Sequence, residues 1–198
     1  MIRALILLVI FFPASSILGC KTMTGSGSAP PRTVESVDLE RYAGSWHEIA
    51  RLPFRQQRGC HSTTATYNPM DDGRIEVINR CRDGSFDGRL REARAVAWPV
   101  DESNARLKVR FFWPFTAPYW ILALDEAYQH ALVGVPSRRY LWILSRTPEM
   151  PISAFREYVK IASREGYAVE ELIVTPHEGV DLERYRLDGL GVPSKDRH

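Results

Sequence analysis

The chain has 198 residues, 44% of them hydrophobic and 25% charged, with a formal net charge of +2. That is room for one globular domain with a sizeable core plus a processing segment. So small a charge gives no electrostatic case for nucleic acid as a partner, and an aromatic content of 11%, with five Trp, leans toward strands or a lined cavity.

The first residues read as a segment that processing removes. Arg3 supplies a positive start, residues 4–12 form an unbroken apolar run, and Pro13 ends it. A membrane span needs about 20 residues, so the run is too short to cross and suits a secretory signal. Ile17-Leu18-Gly19-Cys20 follows and resembles the bacterial lipobox, whose cysteine is lipidated and becomes the new N-terminus. The resemblance implies a signal peptide over residues 1–19 and an anchor of acyl chains, palmitate among them, on Cys20. Several chains on one residue hold stably where a single chain holds marginally. Lys21 stands where an Asp would suggest retention in the inner membrane, so the resemblance places the anchor in the outer membrane, facing the periplasm. The alternative is a plain signal peptide with a coincidental cysteine. Residues 20–35 then form a tether rich in Gly, Ser, Thr and Pro.

From Asp38 the pattern turns mostly to strands. Aliphatic, aromatic and Thr-rich segments recur between turn signals, near 46–52, 60–67, 74–81, 90–98, 105–113, 119–124, 129–135 and 140–146. Eight strands in simple succession fit an all-β fold, an antiparallel up-and-down barrel whose closure removes unpaired edges. Alternation is clearest in Arg106-Leu107-Lys108-Val109-Arg110-Phe111, where the cations share one face and the apolar residues the other. In Glu92-Ala93-Arg94-Ala95 the charges again point outward and the inward groups are alanines, which leave space rather than fill it.

After Arg146 the period changes. Ile152, Phe155, Val159 and Ala162 recur at helical spacing, and Gly166 suits the helix end. One C-terminal α-helix therefore packs outside the barrel. A ninth short strand is expected near 171–175, and the tail from about Glu178 is expected to be irregular or loosely attached. The domain spans residues 36–178 and the tail 179–198.

Three cysteines are an odd count for an exported chain. If lipid consumes Cys20, Cys60 and Cys81 remain as a pair in an oxidising compartment. They flank the turn signal Asn68-Pro69-Met70-Asp71-Asp72-Gly73 at similar distances, so a hairpin brings them together. A disulfide is the expectation, and two free buried thiols the alternative. No metal or cofactor is expected: histidines 47, 61, 130, 177 and 198 show no paired ligand spacing.

Three motifs carry a family resemblance. Arg41-Tyr42-Ala43-Gly44-Ser45-Trp46-His47-Glu48-Ile49-Ala50-Arg51 looks like the Gly-x-Trp opening of lipocalins, and Ala123-Leu124-Asp125-Glu126-Ala127-Tyr128 like their middle motif. Tyr140-Leu141-Trp142-Ile143-Leu144-Ser145-Arg146-Thr147-Pro148 resembles their last strand with its single Arg. In this order, with a helix after the third, they resemble the bacterial, outer-membrane lipoprotein lipocalins of the apolipoprotein D-like branch over residues 38–175. The resemblance implies that Trp46 sits at the closed end with Arg146 across its ring. Gly44, Asp125 and Tyr128 are then structural too, and ligand enters at the other end.

Alternation nominates Val77, Asn79, Ala95, Val109 and Phe111 as ligand-binding, together with Ala93, Ala97 and Leu107. Tyr119, Ile121 and Trp142 join them, although both faces of 119–124 are apolar and the inward face there stays open, as it does for Trp142. Each of these residues either packs the interior or meets a ligand. Phe111-Phe112-Trp113-Pro114-Phe115 either lines a mouth, touches a membrane or packs as a loop. The resemblance implies a binder of fatty acids or lysophospholipids, serving storage or transfer of lipids for envelope maintenance, and it allows a homodimer. It implies no enzyme, and no Ser-His-Asp set can be assembled. A structural envelope lipoprotein with a filled barrel, or a lipid-modifying lipocalin enzyme, is the alternative.

Overall fold

The alternating segments become paired strands in the computed structural model, which describes residues 29–187. Cys20, the segment read as a signal peptide and residues 188–198 lie outside the described residues. Eight strands follow in order: β1 Gly44–Arg51, β2 Cys60–Pro69, β3 Ile75–Asp83, β4 Leu90–Pro99, β5 Arg106–Phe112, β6 Phe115–Leu124, β7 His130–Gly134 and β8 Leu141–Ser145. Each pairs antiparallel with the next, and β1 pairs with both β8 and β2, so the sheet closes. A ninth strand, β9 Ile173–Val174, adds to β1 where β1 parts from β2. A short helix α1 Leu39–Tyr42 precedes the barrel, and α2 Ile152–Arg164 follows it.

Period two works as physics here. Leu107 and Val109 are buried while Arg106 and Lys108 stay exposed, so the cations are solvated and the apolar groups face inward. One apolar cluster, including Trp46, Tyr67, Val77, Ala97, Leu107, Ile121 and Val133, lies in the lower interior. A second lies outside the wall, where Phe155, Val159 and Ala162 of α2 pack on Ile49, Leu122, Leu132, Leu141 and Ile143. Burying one such side chain contributes about 1.5–3 kcal/mol, which fixes the helix to this face.

This second cluster resolves the strands with two apolar faces. Tyr119 and Ile121 belong to the interior, whereas Trp120 and Leu122 face α2; on β8, Trp142 and Leu144 are interior and Leu141 and Ile143 exterior. Cys60 and Cys81 form a disulfide across the β2–β3 hairpin, with Cα atoms 5.4 Å apart.

Ahead of β1, Asp38 accepts hydrogen bonds from the backbone N–H groups of Glu40 and Arg41 and so caps α1. One expectation is corrected: the tail is not loose at its start, because Tyr185 is 1% exposed. Its hydroxyl accepts from Met150 N and donates to Met150 O, at 2.7 and 2.9 Å, and its ring lies 4.9 Å from that of Phe155. Val180 and Leu187 pack against the same outer cluster.

Candidate functional site

The barrel has two unlike ends. At one end Trp46 is fully buried, and the Arg146 guanidinium lies 3.8 Å from its ring centroid. Arg146 also donates to the carbonyl oxygens of Ser45, Tyr128 and Arg41, and Trp46 Nε1 donates to that of Tyr42 at 2.8 Å. Gly44 opens the strand at a φ of +90°, a conformation that residues with a side chain rarely adopt. Asp125 Oδ1 accepts from the backbone N–H groups of Gln129 and His130, which shapes the β6–β7 turn. The Tyr128 hydroxyl accepts from Asp38 N, and Arg41 lies 4.0 Å over its ring, so the N-terminal segment is strapped across this end.

Above this floor stand three interior tyrosines. Tyr119 Oη lies 2.8 Å from Tyr42 Oη and 2.7 Å from Tyr67 Oη. Burial pushes the Tyr42 and Tyr119 phenols well above their ordinary range and that of Tyr67 up to about 12, so all three keep their protons. Two contacts consume two of three protons. One O–H is left over to donate to something else in the interior.

The other end is open. Pairing aligns Ile75, Val77 and Asn79 of β3 with Ala97, Ala95 and Ala93 of β4, so an inward row of three alanines runs along one wall. Ala97 and Ala95 are buried, but Ala93, nearer the open end, is exposed. Asn79, Ala65, Tyr119 and Trp142 likewise keep partial exposure although they face inward. A barrel filled by its own side chains would bury these positions. Here they border accessible space.

The β1–β2 loop crosses this opening. Phe54 packs edge-on against Tyr140 and Trp142, and Arg91 Nη2 and Nη1 donate to the carbonyl oxygens of Gln56 and Arg58 from the far wall. Gln57 reaches inward: its Nε2 donates to Glu48 Oε2, and its Oε1 accepts from Trp142 Nε1 at 3.0 Å.

Placement of the sequence candidates is therefore mixed. Val77, Ala95, Val109 and Ile121 sit in the buried interior cluster, and Asn79, Tyr119 and Trp142 face the accessible part. Phe111 departs from the alternation. The β5–β6 register shifts between Val109 and Phe112, and Phe111 is partly exposed at the open-end hairpin. With Phe112 and Trp113 it lines a groove of about 530 Å³ shared with Glu76, Arg94 and Arg110. Trp113 at the hairpin tip is 81% exposed.

Two site residues were not visible in the sequence. Glu48 and Arg51 are three apart, and period two would put them on opposite faces. A register shift between Glu48 and Ala50 aligns Glu48 with Leu144 and Arg51 with Trp142, both interior positions. Their side chains are 4% and 7% exposed, with Arg51 Nε 3.3 Å from Glu48 Oε1. Nothing in the residue pattern signals that bulge.

An antiparallel barrel with one plugged end, one open end and an apolar interior defines a small-molecule binding cup. The chain belongs to the lipocalin family: residues 37–177 match the family model described as "Lipocalin-like domain". Outer membrane lipoprotein Blc of Citrobacter freundii is 42% identical over 157 residues, covering 78% of this chain and 89% of that protein. Temperature-induced lipocalin-1 of Arabidopsis thaliana is 40% identical over 151 residues, covering 72% and 81%. Insecticyanin from the tobacco hornworm Manduca sexta shares the fold at 21% identity, with a TM-score of 0.59 over 73% of this chain and 83% of that one.

Proposed function

We propose that this chain is a membrane-anchored binding protein for fatty acids or lysophospholipids, which stores or transfers lipids for envelope maintenance. The observation that carries this reading is the run of inward-facing yet accessible positions at the open end: Ala93, Asn79, Ala65 and Trp142. An acyl chain would fill the interior between Val77, Ala95, Val109 and Ile121, where removing apolar surface from water contributes about 0.8 kcal/mol per CH₂. Tyr119 borders the lower part of the path and Phe111 the rim. The likeness to outer membrane lipoproteins supports Cys20 as the lipidation site and an outer-membrane location facing the periplasm. A binder held beside a bilayer collects amphiphiles released from it. The arrangement offers hydrogen-bond donors and apolar walls, and the proposed role is binding without chemistry.

Titration of the delipidated protein with a fluorescent fatty acid tests the reading. Saturable uptake at one site per barrel is expected. Uptake that never saturates, or none at all, contradicts it and favours a filled, structural barrel.

A further inference from the structure

The barrel interior holds a buried cation whose donors the protein does not use up. Arg51 is 6% exposed, and among the described residues only its Nη2 makes a hydrogen bond, to the Gln57 carbonyl oxygen at 2.8 Å. Nε faces Glu48 at 3.3 Å without hydrogen-bond alignment, and Nη1 has no hydrogen-bond partner among the described residues. A buried polar group left in this state costs free energy, more so when it is charged. A third buried group is also unused: Thr63 Oγ1 has no hydrogen-bond partner among the described residues. It immediately precedes Thr64, the last β2 residue paired with β1, opposite His47, and so lies one step along the chain from the level at which Glu48 continues β1.

Glu48 has partners besides Arg51. Its Oε1 accepts from Thr175 Oγ1, and its Oε2 accepts from Gln57 Nε2. The carboxylate is thus held by two other donors, while the cation beside it is under-used. The position suits a headgroup: Arg51 ends β1 at the open end, directly beneath the Gln57 loop and beside Trp142.

We propose that Arg51, assisted by Thr63, anchors the anionic head of the bound lipid, an oxyanion at the end of an acyl chain, beneath the β1–β2 loop. This rests on the lipid-binding reading above and assigns the residues that select its ligand. The oxyanion would accept from Nη1 and Nε of Arg51 and from the Thr63 hydroxyl, and the acyl chain would run down toward the three tyrosines. Burial pushes the Glu48 carboxyl up, so it yields its hold on the guanidinium more readily than an ordinary glutamate.

The test compares palmitate with its methyl ester, which keeps the chain and removes the charge. Palmitoyl-lysophosphatidylethanolamine is the third ligand, and each displaces 1-aminoanthracene from the delipidated full-length protein. Wild type should prefer palmitate over the ester by about tenfold or more, the scale of a hydrogen bond to a charged group. Arg51→Met should bring that preference to about one. Glu48→Gln, which removes the competing carboxylate at constant shape, should raise it. Loss of packing would weaken acid and ester together, so the ratio isolates the anchor, and Glu48→Gln with Thr63→Val carries the test if Arg51→Met does not fold. A lysophospholipid that loses affinity in Arg51→Met alongside palmitate makes phosphate an equal source of the oxyanion; one that does not restricts the anchor to carboxylates. A preference unchanged in all three variants overturns the proposal and moves the anchor to the spare hydroxyl among Tyr42, Tyr67 and Tyr119. Failure of every ligand to displace the probe overturns the lipid-binding reading itself.

Discussion

Trp46→Ala isolates the plug at the closed end, and its cost can be worked from the contacts. A tryptophan buries roughly 150–250 Å², which at about 25 cal/mol per Å² amounts to roughly 4–6 kcal/mol. Measured truncations of buried aromatics to alanine cost about 3–5 kcal/mol. The Tyr42 carbonyl would lose the indole N–H but keep Arg146 Nη2 at 3.3 Å, so no acceptor is orphaned. Arg146 would lose the ring 3.8 Å from its guanidinium carbon, a contact worth roughly 0.5–2 kcal/mol. The total is about 4–6 kcal/mol, a large part of the roughly 5–15 kcal/mol that holds a domain together. For a domain of this size the melting temperature should fall by about 10–20 °C. Guanidinium unfolding followed by far-ultraviolet circular dichroism is the assay, since indole fluorescence would itself be altered. Arg146→Met and the double variant complete a cycle whose coupling should be about 0.5–2 kcal/mol. An unchanged midpoint, or zero coupling, would refute the plug.

Two further predictions concern covalent and titrating groups. The Cys60–Cys81 bond spans a sequence separation of 21, so on chain-entropy grounds reduction should cost about 3 kcal/mol; peptide mapping that finds both thiols free in non-reduced protein would contradict it. His177 is buried, its Nε2 lies 2.8 Å from the Glu48 carbonyl oxygen, and its ring faces that of His47 at 5.5 Å. Burial holds both imidazoles below their usual value of 6.5, and for His47 the neighbouring His177 adds to this. As pH falls below about 6.5 the unfolded chain therefore takes up protons first. Stability should drop from pH 7 toward pH 5 and level off below the folded values. Glu48, pushed up by burial, contributes with the opposite sign in this range. The quantity to measure is thus wild type against His177→Gln, which should show a shallower decline; equal slopes would rule the histidine out.

How much of this was legible beforehand follows from the geometry of each element. The strands of the barrel wall were legible because one face meets solvent, and charge alternates with aliphatic residues from Arg106 to Phe111. Trp46, Arg146, Gly44, Asp125 and Tyr128 were legible because their spacing resembles family motifs. β6 was ambiguous for a physical reason: Trp120 and Leu122 are covered by α2, so both faces of that strand are apolar. Bulges defeated the period in two places. One turns Glu48 and Arg51 to the same interior, and the other takes Phe111 out of the inward row. The tyrosine cluster joins α1, β2 and β6, segments too far apart in sequence for local pattern to connect. Docking of the tail rests on Tyr185, with Val180 and Leu187 packed on the same outer cluster, residues too scattered to form a periodic pattern.

Native mass spectrometry of the protein purified without detergent, with extraction and identification of whatever is bound, tests the central claim most directly. A barrel carrying one fatty acid or lysophospholipid is the predicted result. A clean apo mass that also takes up no added lipid would contradict the binding function while leaving the fold intact.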